Sequence, residues 1–381
     1  MFIIAYLTIV VFATIYGPQP LLIVLRSEYG VSATTASLMI TAVLIPLSFA
    51  PLVYGYLLES VPIKKMLVLA LSLLAIAELG IALAGNFWII LGLRLFQGLI
   101  VPAMLTALMT YTSAMHDTRD LQRAFAFYVA ATLVGGFFGR VFSGAVSTLF
   151  GWRYSFLALF IAMLVGLLFL RRLNPTSKAG FQRLSPADVL DTLRRPNFIR
   201  ICMLIACAFF VFVSLSNILP FRLTDIAHGI SEFRIGMAYS GYLVGIVLAL
   251  SAPRLVVLFG SEARALIVGL CCYLAATFIF LSDAAIVIFV NMFLFCASIA
   301  LLQSVCAGYI NKLASLHKGV ANGLYISIYY AGGSLGSYLP GWIYMHFGWH
   351  TYLVSLACVI CVALSLAWGL RTRNVLQQGV V

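Results

Sequence analysis

Residues 135–140 read Gly-Gly-Phe-Phe-Gly-Arg, and they are followed by Gly144 and by Phe-Gly-Trp-Arg at 150–153. Most of this stretch occurs a second time, as Gly-Gly-Ser-Leu-Gly-Ser at 332–337, then Gly341 and Phe-Gly-Trp-His at 347–350. Each matched landmark lies 197 residues after its counterpart. A constant offset indicates an internal duplication about half the chain long. One difference between the copies affects charge at depth: Ser337 stands where the first copy has Arg140, a full charge inside an apolar run.

The composition is that of a membrane protein. Hydrophobic residues make up 63% of the chain and charged residues only 9%, whereas soluble domains carry about 25% charged residues. The apolar runs are too long for barrel strands, so we expect helices, which satisfy their own backbone groups in lipid. The net charge of +12 does not indicate nucleic-acid binding, because the basic residues lie between apolar runs and do not line one face.

The apolar runs predict an all-α membrane protein with twelve transmembrane helices in two pseudo-symmetric six-helix bundles. We place an N-terminal bundle at 1–170, a cytoplasmic linker at 171–197 and a C-terminal bundle at 198–381. The twelve predicted spans are 2–24, 34–58, 65–84, 87–113, 123–149, 153–170, 198–221, 233–253, 264–282, 285–310, 321–345 and 350–370. Within the linker, Ser185-Pro186 predicts the start of a short helix that ends before Pro196.

The basic residues predict the orientation. Seventeen of the 23 lie in one set of loops, which includes the linker, and only four lie in the opposite set. Because cytoplasmic loops carry the excess of Lys and Arg, we expect both termini and the linker to be cytoplasmic. The remaining two basic residues, Arg94 and Arg140, lie within spans. We therefore predict a multi-pass membrane protein in this orientation.

Specific motifs agree with this architecture. Span four carries Arg94-Leu95-Phe96-Gln97-Gly98, and span six opens with Gly-Trp-Arg at 151–153. Together with the two six-helix halves, these motifs resemble those of the major facilitator superfamily. The Gln-Pro pair at 19–20, the Gly-Arg pair at 139–140 and the glycine-tyrosine pattern of span eleven are similar to the bacterial YnfM-type branch. This resemblance implies secondary transport by alternating access at a midplane site, with export coupled to proton entry.

Two motifs depart from the family pattern. The loop after span two keeps an acid at Glu59, which the resemblance implies is part of a cytoplasmic latch, but Ser60 and Pro62 replace the usual arginine and glycine. The antiporter motif of span five has Arg140 where its proline would stand. We therefore expect a weakened latch and a departure from the drug/proton antiport that the usual span-five motif implies.

Three charged residues fall at membrane depth. At 1.5 Å per helical residue, Glu78, Arg94 and Arg140 lie about 10–15 Å from the same face. We predict that Arg140 binds a carboxylate or another anionic oxygen of the substrate; the alternative is that it snorkels or binds backbone carbonyls. Glu78 and Arg94 are the proton-coupling candidates, and the sequence leaves open whether Glu78 carries a proton or forms a structural ion pair with Arg94.

Other polar and small residues complete the predicted site. Polar side chains at depth can bind substrate or hold helices together, and the substrate-binding candidates besides Arg140 are Gln19, Gln97, Asn217, Asn291, Tyr128, Tyr325 and Tyr329. Pro20 and Pro220, beside two of these residues, are candidates for local helix breaks. Small residues at four-residue spacing allow close helix packing and rocking of the two halves; these are Gly135, Gly139, Gly144, Gly332, Gly336 and Gly341.

These residues predict a transporter and not an enzyme, because the chain has no catalytic or Walker motif. We expect a small anionic or zwitterionic organic solute, such as a carboxylate metabolite or a siderophore. The expected partners are this solute, protons and membrane lipids, with no nucleic acid, no cofactor and no metal, and the chain is expected to be a monomer. The alternatives are a broad drug/proton antiporter and a non-transporting assembly factor on the same fold.

Overall fold

The computed structural model describes residues 2–50, 61–114, 118–173, 186–227, 229–313 and 318–378, and in these ranges every regular element is helical. The helices are α1 Phe2–Tyr16, α2 Leu22–Tyr29, α3 Ala33–Leu47, α4 Ile63–Leu83, α5 Phe87–Ala114, α6 Thr118–Phe150, α7 Trp152–Arg171, α8 Pro186–Arg194, α9 Pro196–Ile226, α10 Glu232–Ala238, α11 Gly241–Phe259, α12 Glu262–Ile279, α13 Ala285–Leu313 and α14 Lys318–Gln378. A short 3₁₀ helix, Gln19–Leu21, joins α1 to α2.

The helices agree with the predicted spans. Within the described ranges, ten helical stretches are long and apolar enough to cross a membrane, and Ala33–Leu47 is a shorter apolar helix. The longest stretch, Val320–Leu370, bends at Gly348, where φ is 78°. Counting its two parts separately and adding the short helix gives the twelve predicted spans. The short linker helix is also confirmed, since α8 ends at Arg194 and α9 begins at Pro196.

Glycines with positive φ separate consecutive spans in both halves. Gly30 and Gly229 have φ of 61° and 76°, and each is followed two residues later by a serine that caps the next helix. Ser32 accepts a hydrogen bond from the Thr35 amide at 3.0 Å, and Ser231 accepts one from the Arg234 amide at 3.4 Å. Such left-handed backbone favours glycine because it has no Cβ, so the sequence fixes these turns locally.

The chain divides into two compact units. The first unit comprises Met1–Arg183 and Leu219–Tyr239, and the second comprises Leu184–Ile218 and Ser240–Val381. The end of α9 and all of α10 therefore pack with the first six spans. The predicted division into bundles at 1–170 and 198–381 stays a prediction.

The repeated glycines lie at close helix contacts inside each unit. A Cβ on Gly135 would come 2.7 Å from the Ile9 carbonyl oxygen, and Gly332 meets Ala206 in the same way. Ile9 and Ala206 are themselves 197 residues apart. One turn later, Gly139 packs against Ala13 in α1 and Gly336 against Phe210 in α9. The duplication therefore extends to the pairs of residues in contact.

We expect Gly139→Ala and Gly336→Ala each to lower the free energy of unfolding by about 1–3 kcal/mol, because the added methyl overlaps backbone atoms of the facing helix. The measurement is thermal and denaturant unfolding of the purified protein in detergent.

The matched controls are Gly92→Ala and Gly308→Ala, because a Cβ at either helical glycine meets no atom within 4 Å. Both should be neutral or stabilising by up to about 1 kcal/mol, from the higher helix propensity of alanine. Equal losses in all four variants would show that the close contacts do not limit stability.

Candidate functional site

The break between α1 and α2 organises the polar interior of the first unit. α1 ends at Tyr16, and Gly17 and Pro18 precede the 3₁₀ turn. Pro18 has no backbone N–H to donate to the Thr14 carbonyl, one helical turn earlier. In lipid, carbonyls at such a break need donors from elsewhere in the protein.

Arg94 supplies those donors. Its Nη1 donates to the Thr14 carbonyl at 2.8 Å and its Nη2 to the Ile15 carbonyl at 3.0 Å. Its Nε donates to the Met39 carbonyl in α3 at 2.9 Å, and Gln97, one turn away, accepts a further bond from Nη1 through Oε1 at 2.8 Å. The side chain is completely buried. Arg94 therefore ties α5 to α1 and α3 through backbone acceptors.

Glu78 lies beside this clamp but does not form the ion pair with Arg94 that the sequence suggested. Its polar neighbours are Arg94, Thr14 and Gln97, yet among the described residues neither carboxylate oxygen has a hydrogen-bond partner. The Thr14 hydroxyl and the Gln97 amide nitrogen likewise have no partner within that part of the chain. The pair is not made because the N–H groups of Arg94 are directed at carbonyls and at Gln97.

Arg140 is the second completely buried arginine, and it contacts the same break from the other side. Its Nε donates to Gln19 Oε1 at 2.5 Å, and its Nη1 donates to the Gly136 carbonyl, also at 2.5 Å. The rings of Tyr16 and Tyr239 lie 4.6 Å and 4.7 Å from its guanidinium carbon. These four groups carry no charge of their own.

The second unit repeats these contacts without the charges. The Asn217 amide donates to the carbonyl of Ser337 at 3.4 Å, and Ser337 is the residue that matches Arg140 in the first unit. The Asn291 amide, in the slot that matches Arg94, donates to the Ala276 carbonyl of α12 at 2.8 Å. α9 continues through Pro220 as one helix, so the predicted break at that proline is wrong.

Aromatic rings fill the interior of the second unit. Tyr329 stacks on Phe209 with ring centroids 3.8 Å apart, and Tyr330 meets the same ring edge-on. Tyr325 stacks on Tyr329 at 6.4 Å, and its hydroxyl donates to the Gln303 carbonyl at 3.4 Å. These residues, with Phe212, form an aromatic cluster on α9 and α14.

The structure brings together only part of the predicted site. Arg140 and Gln19 meet directly, and so do Arg94 and Gln97. Tyr128 is buried on α6 and Gly341 is buried on α14, whereas Glu59 lies outside the described residues. Gly144 packs against the backbone of Glu232 at the start of α10.

The residues that the sequence analysis missed are Thr14, Tyr16 and Tyr239. Tyr16 is three residues before Gln19, a spacing that places two side chains on one helical face. Thr14 acts through its backbone carbonyl, and carbonyls carry no sequence signal. Tyr239 lies at the join between α10 and α11, where periodicity gives no information.

Comparison with known proteins agrees with this architecture. The family model described as Major Facilitator Superfamily matches residues 4–301. The chain belongs to the major facilitator superfamily. This superfamily consists of membrane transporters, so the chain is a multi-pass membrane transporter and not an enzyme.

Superfamily relatives match along nearly the whole chain. An inner membrane transport protein, YnfM of Escherichia coli (strain K12), is 26% identical over 95% of this chain and 88% of its own length. An uncharacterised transporter of Buchnera aphidicola subsp. Baizongia pistaciae is 24% identical over 93% of this chain and 89% of its own. A solved bacterial homologue of the human lysosomal transporter Spinster shares the fold, with a TM-score of 0.81 at 14% identity over 99% of this chain and 97% of its own.

We expect Gln19→Leu to destabilise the protein by about 1.5–3 kcal/mol, because it removes a charge-assisted hydrogen bond from a buried guanidinium. The control is Asn291→Leu, which removes a neutral bond of a buried amide and should lose about 0.5–1.5 kcal/mol. Unfolding in detergent measures both. A loss for Gln19→Leu no larger than the control's would show that this bond adds nothing beyond a neutral one.

Proposed function

We propose that this superfamily member is a secondary transporter that exports a small anionic or zwitterionic organic solute, such as a carboxylate metabolite or a siderophore, in exchange for protons. It acts as a monomer in a bacterial inner membrane by alternating access, with both termini and the linker on the cytoplasmic side. Anionic lipids would contact the basic cytoplasmic loops.

The observation that carries this proposal is the environment of Arg140. A charged side chain at the bilayer centre costs about 2.5–3.5 kcal/mol on insertion scales, so a buried arginine needs a reason. Tyr16, Tyr239 and Gln19 support the guanidinium by cation–π contact and hydrogen bonding. The positive charge of the guanidinium attracts an anion. The planar guanidinium matches a carboxylate with two parallel bonds.

Glu78 is the candidate for the coupling proton. A buried carboxylate without donors is strongly unfavourable, whereas the neutral acid is much less so. The two oxygens of Glu78 have no hydrogen-bond partner among the described residues, which fits the protonated form. A carboxyl group that is neutral in one conformation and ionised in another can exchange a proton during the cycle. Arg94 acts beside it by keeping its own donors on backbone carbonyls.

A drug/proton antiporter is the second candidate, and the aromatic cluster of the second unit favours it. Phe209 and Tyr329 are stacked and Tyr330 packs edge-on against both rings, and clustered aromatic rings bind flat lipophilic compounds well. Arg140 disfavours cationic drugs, so the two candidates differ in the charge of the solute.

We expect a carboxylate or siderophore to raise the unfolding temperature of the wild type and to have no effect on Arg140→Gln. At a ligand concentration about 100 times Kd, binding adds about 2.7 kcal/mol to the stability. The measurement is a thermal-shift screen of purified protein against carboxylates, siderophores, sugars and cationic drugs.

The control is Arg153→Gln. Arg153 is a partly exposed arginine paired with Glu28 at 2.6 Å, and this variant should keep the ligand response. Stabilisation of Arg140→Gln by the same anion would remove Arg140 from the binding site. A response only to cationic drugs would favour the antiporter candidate.

We expect Glu78→Gln to lose accumulation driven by a proton gradient while it keeps exchange of solute across proteoliposome membranes, because glutamine cannot release a proton. The solute is the anion found in the screen. The control is Glu262→Gln, which removes an acid paired with Lys312 in the second unit. Gradient-driven accumulation at the wild-type rate in Glu78→Gln would exclude Glu78 as the coupling group.

A further inference from the structure

We propose that the break between α1 and α2 is a mechanical link between Glu78 and Arg140, and that Arg94 is the positioning residue that operates it. The proposal deepens the proposed function, since it states how a charge change at one buried site reaches the other. All the contacts that support it lie within the first unit.

Arg94 holds the break between α1 and α2 in place. The Thr14 and Ile15 carbonyls belong to the last turn of α1, where carbonyls have no intrahelical partner, and Arg94 caps both. Gln97 holds the Arg94 guanidinium in place by accepting from Nη1. Any movement of Arg94 therefore releases the end of α1.

Residues of the break also contact Arg140. Tyr16 and Gln19 are the next contact residues along the chain, and both contact Arg140, through the ring and through Oε1. Between them lie only Gly17 and Pro18. The six residues from 14 to 19 thus touch Arg94 at one end and Arg140 at the other.

Glu78 acts on this segment through its polar neighbours. Its polar neighbours are Thr14, Gln97 and Arg94, and each of them belongs to the clamp. Ionisation of Glu78, with its proton passing to water, creates a buried charge that draws hydrogen-bond donors. The nearest donors are the Thr14 hydroxyl, the Gln97 amide and the Arg94 guanidinium. Movement of the Arg94 guanidinium toward Glu78 takes its bonds away from the Thr14 and Ile15 carbonyls and loosens the break.

The helices around Glu78 and Arg94 carry few other charged residues. Arg94 is the charged residue of α5, and α1 has none. The charged residues of α7 are Arg153 and Arg171, both at its ends. Glu78 is therefore the carboxylate that faces the clamp in the described part of these helices.

Hydrogen–deuterium exchange of the full-length, ligand-free protein in detergent tests this link. The readout is the peptide that covers residues 14–25, compared at about pH 5 and about pH 9 after correction for intrinsic exchange. In the wild type we expect the corrected exchange rate of this peptide to rise by at least about threefold at the higher pH. In Glu78→Gln the corrected rate should stay the same at both pH values.

Two variants complete the experiment. Glu262→Gln, the matched loss of an acid in the second unit, should keep the wild-type pH response. Arg94→Lys keeps the charge but cannot cap two carbonyls and hold Gln97 together, so its exchange in 14–25 should be fast at both pH values. If Arg94→Lys does not fold, the comparison of the wild type with Glu78→Gln decides the matter.

A pH response in Glu78→Gln equal to that of the wild type, or no response in the wild type, would overturn the link. Because the experiment uses no solute and no gradient, its result is independent of whether the chain exports an anion. Loss of the link with intact proton-driven transport would leave the proposed function standing.

Discussion

The polar interior of the first unit depends on one constraint: carbonyls at a helix break cannot stay unsatisfied inside a bilayer. Each such group costs several kcal/mol when no donor is present. Arg94 caps the Thr14 and Ile15 carbonyls and also reaches Met39. The unfavourable burial of an arginine is offset because its N–H groups donate to four acceptors, three of them main-chain carbonyls. The Arg-x-x-Gln-Gly motif thus has a structural reason, since the glutamine one turn later orients the arginine.

The second unit differs from the first at the positions that match Arg94 and Arg140. There α9 runs through Pro220 without a break, and Asn291, which makes a single bond to Ala276, occupies the slot of Arg94. Arg140 is likewise replaced by Ser337. Both buried arginines occur in the unit whose first span is interrupted, and neither occurs where that span is continuous. The two halves have therefore kept the same helix contacts while their polar chemistry has diverged.

Sequence analysis predicted the parts of this structure that depend on spacing. From the apolar runs it located the helices, and from the repeated small residues it predicted close helix contacts, because both features leave a local signal. It did not predict that Arg94 forms hydrogen bonds with other groups and no ion pair with Glu78, since the acceptors that Arg94 uses are mostly backbone carbonyls of other helices. It named Pro20 and Pro220 as candidates for helix breaks; the first span is interrupted around Pro20, which lies in the 3₁₀ turn, whereas α9 continues through Pro220. Whether a proline breaks a helix depends on which donors the neighbouring helices provide.

The two buried arginines differ in the kind of group that binds them, and this difference separates their roles. Three of the four acceptors of Arg94 are main-chain carbonyls on α1 and α3, so a ligand could take its donors only by loosening two helices. Arg140 is held mainly by the side chains of Gln19, Tyr16 and Tyr239, and side chains can rotate without moving a helix. Under the proposed function, an incoming carboxylate would replace the amide of Gln19 at Arg140 without moving a helix. The same replacement at Arg94 would have to disrupt the end of α1, which makes Arg140 the better binding residue and Arg94 the better clamp.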